Sequence, residues 1–333
     1  MSRHTDATFD VGDVTLAEKR LSGSILRTPL LFSPALSALT DAQIYLKMEC
    51  WQLCGCFKVR GAINMVSALS PEERTRGLVT CSSGNHGTAL AYAATLFDHP
   101  PTKVFLPTYA DPNKVSKLKL LGAEAILTGD TFLETLTTAL HYADEQGATY
   151  VHSHGHPLVI AGQGTIGLEI MNDLPDVDTI FAPIGGGGLA SGISTVVKAA
   201  KPDTEIIGIE PTGAPGAWLS FRDRRCHEQI DLTPSVADGL VGTLTPLTWE
   251  ILRGRLDNTV LVDEQQIIAA MRVLQEEEQL MVEGAAAVGL AAILSKKVDV
   301  IGKKTVLILT GRNINAEKYN ALIATARGEA EAI

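Results

Sequence analysis

One lysine and one run of glycines carry most of the chemistry in this sequence. Lys58 sits in Cys54-Gly55-Cys56-Phe57-Lys58-Val59-Arg60-Gly61-Ala62, between two glycines and after an uncharged stretch. Such surroundings strip water from the amine and lower its pKa, which is how a lysine becomes a nucleophile. Far downstream, Gly185-Gly186-Gly187-Gly188 follows an apolar strand and opens a helix. Converging backbone N–H groups at a helix N-terminus suit a phosphate. The run lacks the Gly-Lys-Ser ending of a nucleoside-triphosphate loop and does not stand in the first βα unit, where a dinucleotide fingerprint belongs. A third loop, Ser82-Ser83-Gly84-Asn85-His86-Gly87, again leads from strand to helix. Its N–H groups could take a carboxylate, and Asn85 could donate to a phenolate oxygen. An amine for an aldehyde and a nest for a phosphate are together what pyridoxal phosphate requires of a protein.

These loops need elements to hold them. Thr15-Leu16-Ala17-Glu18 reads as a capping box opening a first helix. Arg27-Thr28-Pro29-Leu30 ends that helix and begins an extended stretch. Strands are expected at 78–80, 103–106, 124–127, 177–184, 205–209 and 305–309. Helices are expected at 88–95, from a turn at Asp111-Pro112-Asn113 to Leu121 with Gly122 as C-cap, and from Gly284. This alternation predicts an α/β architecture with parallel strands. A change of character near residues 150–160 marks passage from one lobe to another.

The 333 residues suffice for two domains, and a composition 45% hydrophobic and 20% charged is that of a globular chain. A net charge of −10 argues against nucleic acid and anionic membrane as partners. No apolar run is long enough for a membrane helix, and the polar start does not read as a signal peptide. Five cysteines in no framework spacing suit a reducing cytoplasm. Cys50, Cys54 and Cys56 match no common zinc pattern and are expected to be free thiols.

Taken together, the segments resemble the fold-type II pyridoxal-phosphate enzymes, in the serine/threonine dehydratase and serine racemase branch. The resemblance runs through Lys47-Met48-Glu49, Phe57 to Ala62, Ser82 to Gly87, residues 114–122, Ile160-Ala161-Gly162-Gln163-Gly164-Thr165, the four glycines, Glu210-Pro211, Ala237-Asp238-Gly239, and Thr310-Gly311 with Asn313. It implies a tryptophan synthase β-like fold of two domains, each an open, mostly parallel sheet flanked by helices. Residues 1–53 and 153–333 would form the large cofactor-binding domain and 54–152 the small one. Lys58 is implied as the covalent anchor with Phe57 beside it, Asn85 as the partner of the ring's 3-oxygen, and Gly185, Gly186, Gly187 and Gly188 as the phosphate cup. Gly239 and Glu283 fall near the cofactor, and Thr310 where a hydroxyl faces the pyridine nitrogen. A hydroxyl does not hold that nitrogen protonated, so the ring is a poorer electron sink, which favours rapid loss of a β-substituent. Ser82, Ser83, Asn85 and His86 would hold the substrate carboxylate.

The activity so implied is dehydration and deamination of a 3-hydroxy amino acid such as L-threonine or L-serine to a 2-oxo acid and ammonia. Ser83 keeps a serine-type racemase open, with Lys58 and Ser83 as a two-sided proton pair. A hydroxyaspartate dehydratase is a further alternative, although no obvious Arg or Lys marks a second carboxylate site. The branch's Mg²⁺ or Ca²⁺ site is one carboxylate short here: Glu210 and Ala214 fit, but Gly216 stands in the Asp position, leaving only a weakened candidate. Ser153-His154-Gly155-His156 also departs from the family's usual stretch, and puts His154 within reach of the cofactor or a substrate side chain. Homodimers are common in the family, and the chain ends without the regulatory domain of biosynthetic threonine dehydratases.

Overall fold

The computed structural model describes residues 9–82 and 84–330. Within them ten strands form two sheets: β1 (Leu30–Ser33), β2 (Gln43–Lys47), β3 (Leu78–Cys81), β4 (Thr102–Leu106), β5 (Glu124–Leu127), β6 (Thr149–Tyr150), β7 (Thr179–Pro183), β8 (Glu205–Pro211), β9 (Asn258–Val262) and β10 (Lys304–Ile308). The larger sheet runs β1-β2-β10-β7-β8-β9 and the smaller β5-β4-β3-β6. Only β1 and β2 pair antiparallel; every other pairing is parallel. Parallel sheets are covered on both faces, and β3 and β7 are accordingly buried at every position. The alanine-rich Gly284–Leu294 helix packs on the larger sheet and is buried from Gly284 to Ile293.

The first helix, Val11–Leu21, begins earlier than its expected cap. Asp10 and Asp13 form the capping box instead, while Thr15 donates to the Val11 carbonyl from inside the helix. The buried stripe Val14, Ala17 and Leu21 decides the matter, because it packs on the Pro157–Asp173 helix and needs the extra turn. The expected turn at Asp111 is already a helix start. Asp111 accepts from the Asn113 N–H at 2.8 Å, and Pro112 stands in the first helical turn. The helix expected from residue 88 begins at Asn85, so Asn85 and His86 lie in its first turn.

Two features place the Lys58–Ala68 helix. Its backbone touches the Pro157–Asp173 helix: a Cβ on Gly162 would fall 2.6 Å from the Gly61 Cα, so neither helix tolerates a side chain there. Beside that crossing lies a four-charge cluster of Lys47, Glu49, Arg60 and Glu169, the first three wholly buried. Arg60 grips Glu49 through Nε and Nη2 at 2.9 and 2.8 Å, and Glu169 through Nη1 and Nη2 at 2.7 and 2.9 Å. Lys47 closes the set on Glu169 and on the Thr28 carbonyl, and Thr28 donates its hydroxyl to Glu49. Burial would lower the Arg60 guanidinium, but Glu49 and Glu169 outweigh it and hold it above its ordinary value. Burial lowers Lys47 despite the same two carboxylates. Charges match two against two, and both forks of the guanidinium are filled.

Removing one partner of such a set leaves uncompensated charge in the interior. Arg60→Met is therefore expected to cost about 3–5 kcal/mol of stability, read as a lowered urea midpoint. An unchanged midpoint would mean that the cluster does not hold this helix.

Candidate functional site

The candidate side chains come from loops and helix starts: Lys58, Asn85, His154 and Thr310 follow β2, β3, β6 and β10 in the chain, and Glu283 stands at the start of the Gly284–Leu294 helix. Residues 54–58 run against the loop that follows β10. Phe57 N–H donates to the Thr310 carbonyl at 3.1 Å, Cys56 pairs with Gly311, Arg312 N–H donates to the Gly55 carbonyl at 3.0 Å, and the Asn313 amide donates to the Cys54 carbonyl at 2.8 Å. This strap requires left-handed backbone at Cys54 (φ 62°) as well as Gly55 (φ 72°). It sets Lys58 and Phe57 beside Thr310, although 252 positions separate Lys58 from Thr310 in the chain.

Lys58 Nζ donates to the Ser153 carbonyl at 3.0 Å and lies 5.1 Å from the Phe57 ring centre. Burial pushes its amine down to about 8, with Cys56 and Glu283 acting the other way. The uncharged setting read from the sequence thus has the expected effect. The neighbouring thiols take no part: burial pushes Cys50 up to about 12, Cys54 up to about 11 and Cys56 well above its ordinary value. All three are free, and no cluster of metal-ligating side chains occurs among the described residues.

Asn85 is locked from both ends. Its amide donates to the two Glu283 oxygens at 2.9 and 3.1 Å, and its carbonyl accepts from Asn313 at 2.7 Å. Asn313, though part of the resemblance, carried no site role in the sequence reading; the Asn two places after Gly311 was the available signal. Glu283 is buried at the start of the Gly284–Leu294 helix, its N–H on the Gly311 carbonyl. Burial pushes its carboxyl up to about 7, with the Asn85 amide pulling it down. His86 Nε2 meets the Val151 carbonyl at 3.1 Å and must donate there, which leaves Nδ1 buried without a partner. Burial, helped by Lys58, takes His86 down to about 3 and His152 to about 4, and His154 well below its ordinary value. All three imidazoles are therefore uncharged at neutral pH. Ser82 accepts from the Gly84 N–H at 3.3 Å, and Ser83 lies outside the described residues.

The glycine loop joins β7 to the Gly188–Ala200 helix and is wedged on both sides. A Cβ would fall 3.0 Å from the Leu240 backbone at Gly185, 2.2 Å from the His154 ring at Gly186, and 2.8 Å from the His154 carbonyl at Gly188. Gly187 is left-handed with φ 83°. Gly239 stands next to Leu240 in the short turn of 3-10 helix Asp238–Leu240 and faces Ala285. The first N–H groups of the helix have no partner within it and suit an anion at this loop.

Glu210 lies next to last in β8, beside β7, whose Pro183 pairs with Ile209, and Ala214 follows it in the next loop. Both Glu210 oxygens accept backbone N–H groups, from Ala217 and Trp218 at 2.7 Å each, at the start of the Gly216–Asp223 helix. Its carboxylate thus anchors a helix N-terminus. Burial pushes it up to about 8, against those two donors.

A ring carrying an aldehyde and a phosphate fits what is left. The Thr310 hydroxyl is 2% exposed and has no partner, so it lacks the acceptor or donor that a ring nitrogen would be. The glycine loop supplies the anion cradle and Lys58 the amine. Because only the neutral amine attacks an aldehyde, reductive tagging of the apoprotein by formaldehyde should reach half its maximal rate at Lys58 near pH 8. Exposed lysines should reach theirs near about 10.5. Peptide mass spectrometry separates the sites, and a Lys58 midpoint no lower than that of the exposed lysines would overturn the lowered amine.

Comparison with known proteins agrees with this geometry. The family model for pyridoxal-phosphate dependent enzymes matches residues 21–311. The L-threonine ammonia-lyase of Thermotoga maritima is 43% identical over 312 residues, covering 93% of this chain and 77% of that protein. Maize serine racemase superimposes with a TM-score of 0.90 at 32% identity, over 98% of this chain and 100% of that one. The processed form of threonine deaminase isoform 2 from Solanum lycopersicum gives a TM-score of 0.88 at 31% identity, over 97% of this chain and 91% of that one. The chain belongs to the pyridoxal-phosphate dependent enzymes, in the serine/threonine dehydratase family, and takes pyridoxal phosphate as its cofactor.

Proposed function

We propose that this protein is an ammonia-lyase that deaminates a 3-hydroxy amino acid, L-threonine foremost, to a 2-oxo acid and ammonia. The observation that carries the reading is a lowered amine at Lys58 in the strap that runs along Thr310, where a hydroxyl and not a carboxylate stands. The relative named L-threonine ammonia-lyase, 43% identical, supports the substrate. When bound, the cofactor supplies an aldehyde for the substrate's amine and a conjugated ring that withdraws electrons from Cα.

Each residue then has one task. Lys58 would hold the cofactor through its aldehyde, and its Nζ, when free, would take the Cα proton of the substrate. The first turn of the Asn85–Thr95 helix and the loop before it hold the substrate carboxylate on main-chain N–H groups. Asn85, fixed by Glu283 and Asn313, offers its remaining amide hydrogen to the cofactor's 3-oxygen. Gly185 to Gly188 would hold the phosphate, Phe57 and Gly239 would lie against the ring, and the Thr310 hydroxyl would serve its nitrogen. The 3-hydroxyl departs as water, and the released enamine is hydrolysed. For threonine the sum is 2-oxobutanoate and ammonia.

A serine at position 83 and the likeness to maize serine racemase support racemisation as a second reading, with Ser83 as the proton carrier opposite Lys58. Residues 54–152, which carry all four strands of the smaller sheet, are proposed as the small domain, closing on the cofactor against the rest of the chain. A cytoplasmic homodimer is proposed as the working form. No helix among the described residues is long and apolar enough to cross a membrane.

Purified, pyridoxal-phosphate-loaded protein should release 2-oxobutanoate and ammonia from L-threonine, and Lys58→Ala should slow this by roughly 10²–10⁴-fold. L-serine, D-serine, allo-threonine and 3-hydroxyaspartates complete the panel. An inverted amino acid without oxo acid would replace the lyase with the racemase, and equal rates for Lys58→Ala would remove Lys58 from its role.

A further inference from the structure

Glu210 is wholly buried near the end of β8, where the resemblance offers a divalent-cation site shared with Ala214. Both of its oxygens are already engaged. Oε1 accepts from the Ala217 N–H and Oε2 from the Trp218 N–H, each at 2.7 Å. These donors belong to the first turn of the Gly216–Asp223 helix, whose N–H groups have no partner within it. That helix has no cap of its own, because Pro215 stands at the N-cap and makes no side-chain hydrogen bond. A glutamate from the preceding strand therefore does the work of a cap.

The residues at this point do not fit a divalent cation. Mg²⁺ and Ca²⁺ take roughly six or more oxygen ligands, and tight sites use several carboxylates. An ionised Glu210 brings one negative charge and a protonated one none, against two on the ion. Gly216, in the Asp position, offers no side-chain oxygen. A helix N-terminus carries partial positive charge, so the N–H groups that hold Glu210 would repel a cation beside it.

This corner backs the cofactor cleft. A Cβ on Gly216 would fall 3.2 Å from the Gly242 carbonyl oxygen and from the Thr243 Cα. The same stretch sets Leu240 against Gly185 and Leu244 against Gly187. The start of the Gly216–Asp223 helix thus stands behind one wall of the glycine loop. We propose that Glu210 caps this helix in place of a cation, so that neither Mg²⁺ nor Ca²⁺ binds here and the wall stands without one. The assignment does not depend on which amino acid the enzyme deaminates.

The test uses the pyridoxal-phosphate-loaded protein, stripped of metal with EDTA and then given Mg²⁺ or Ca²⁺. Its Tm and its retention of cofactor on dialysis should be the same in all three states. Calorimetric titration with Ca²⁺ should give no saturable heat. Glu210→Gln sets an amide N–H against one of the helix N–H groups. It should lower the Tm by roughly 2–8 °C, and by the same amount in EDTA and in Ca²⁺. A saturable heat, or a Tm that rises with either ion, would overturn the proposal unless Glu210→Gln keeps the response, which would place the ion elsewhere and uphold it. A variant that melts with the unsubstituted protein would also overturn it, since Glu210 would then cap nothing. If the variant does not fold, the titration of the unsubstituted protein decides. None of these readouts uses the substrate, so failure of the lyase reading leaves the test intact.

Discussion

The buried contact of Arg60 with Glu49 and Glu169 is the constraint on which the rest of the structure depends. One guanidinium joins the segment after β2, the helix that starts at Lys58, and the helix that runs down from the histidine turn. Arg60 stands two positions after Lys58, less than one helical turn, so fixing the guanidinium fixes the direction in which the amine leaves the helix. A lysine at position 60 would keep the charge but lose the fork that engages two carboxylates at once. The glycine crossing at Gly61 and Gly162 completes the arrangement, because helices whose backbones touch cannot slide without a clash.

Around this frame burial works against charge on the groups of the cleft. Burial keeps His86, His152 and His154 uncharged, lowers Lys58 and raises Glu283. Two helix starts, at Asn85 and Gly188, present backbone N–H groups that suit anions. Among the described residues no carboxylate pairs with Lys58; its hydrogen bond is to a main-chain carbonyl.

What could be read from the sequence was whatever is local. The glycine run, the lysine among uncharged neighbours and the strand-to-helix loop at residues 82–87 each show their chemistry within a few positions. The six strands expected from the sequence lie within two residues of their observed bounds for the same reason, since apolar runs between turn residues are local signals, whereas β2, β6 and β9 were not read as strands. The partners of those groups were not legible. Asn85 and Glu283 meet across 198 positions, and Lys58 rests on the carbonyl of Ser153, a backbone group with no signature of its own. Glu210, which the resemblance offered only as part of a weakened cation site, has a further task that no local pattern shows: its two oxygens accept from a helix start several residues later. The first helix was misplaced because Thr15 and Glu18 have the pattern of a cap, but packing of Val14 on another helix outweighs that pattern.

The strand order of the larger sheet has a consequence for how the chain is made. β10, the last strand synthesised, lies between β2 and β7, and neither of those touches the other directly. Until residues 304–308 leave the ribosome, the antiparallel pair of β1 and β2, joined through the Pro34–Thr40 helix, lacks its parallel neighbour, and β2 and β7 each keep an unpaired edge. The smaller sheet comes from one unbroken stretch and needs nothing made after residue 150 to complete its strand pairing. Synthesis therefore yields a finished small sheet long before the large one, and the hazard of misassembly falls on the wait for a single five-residue strand.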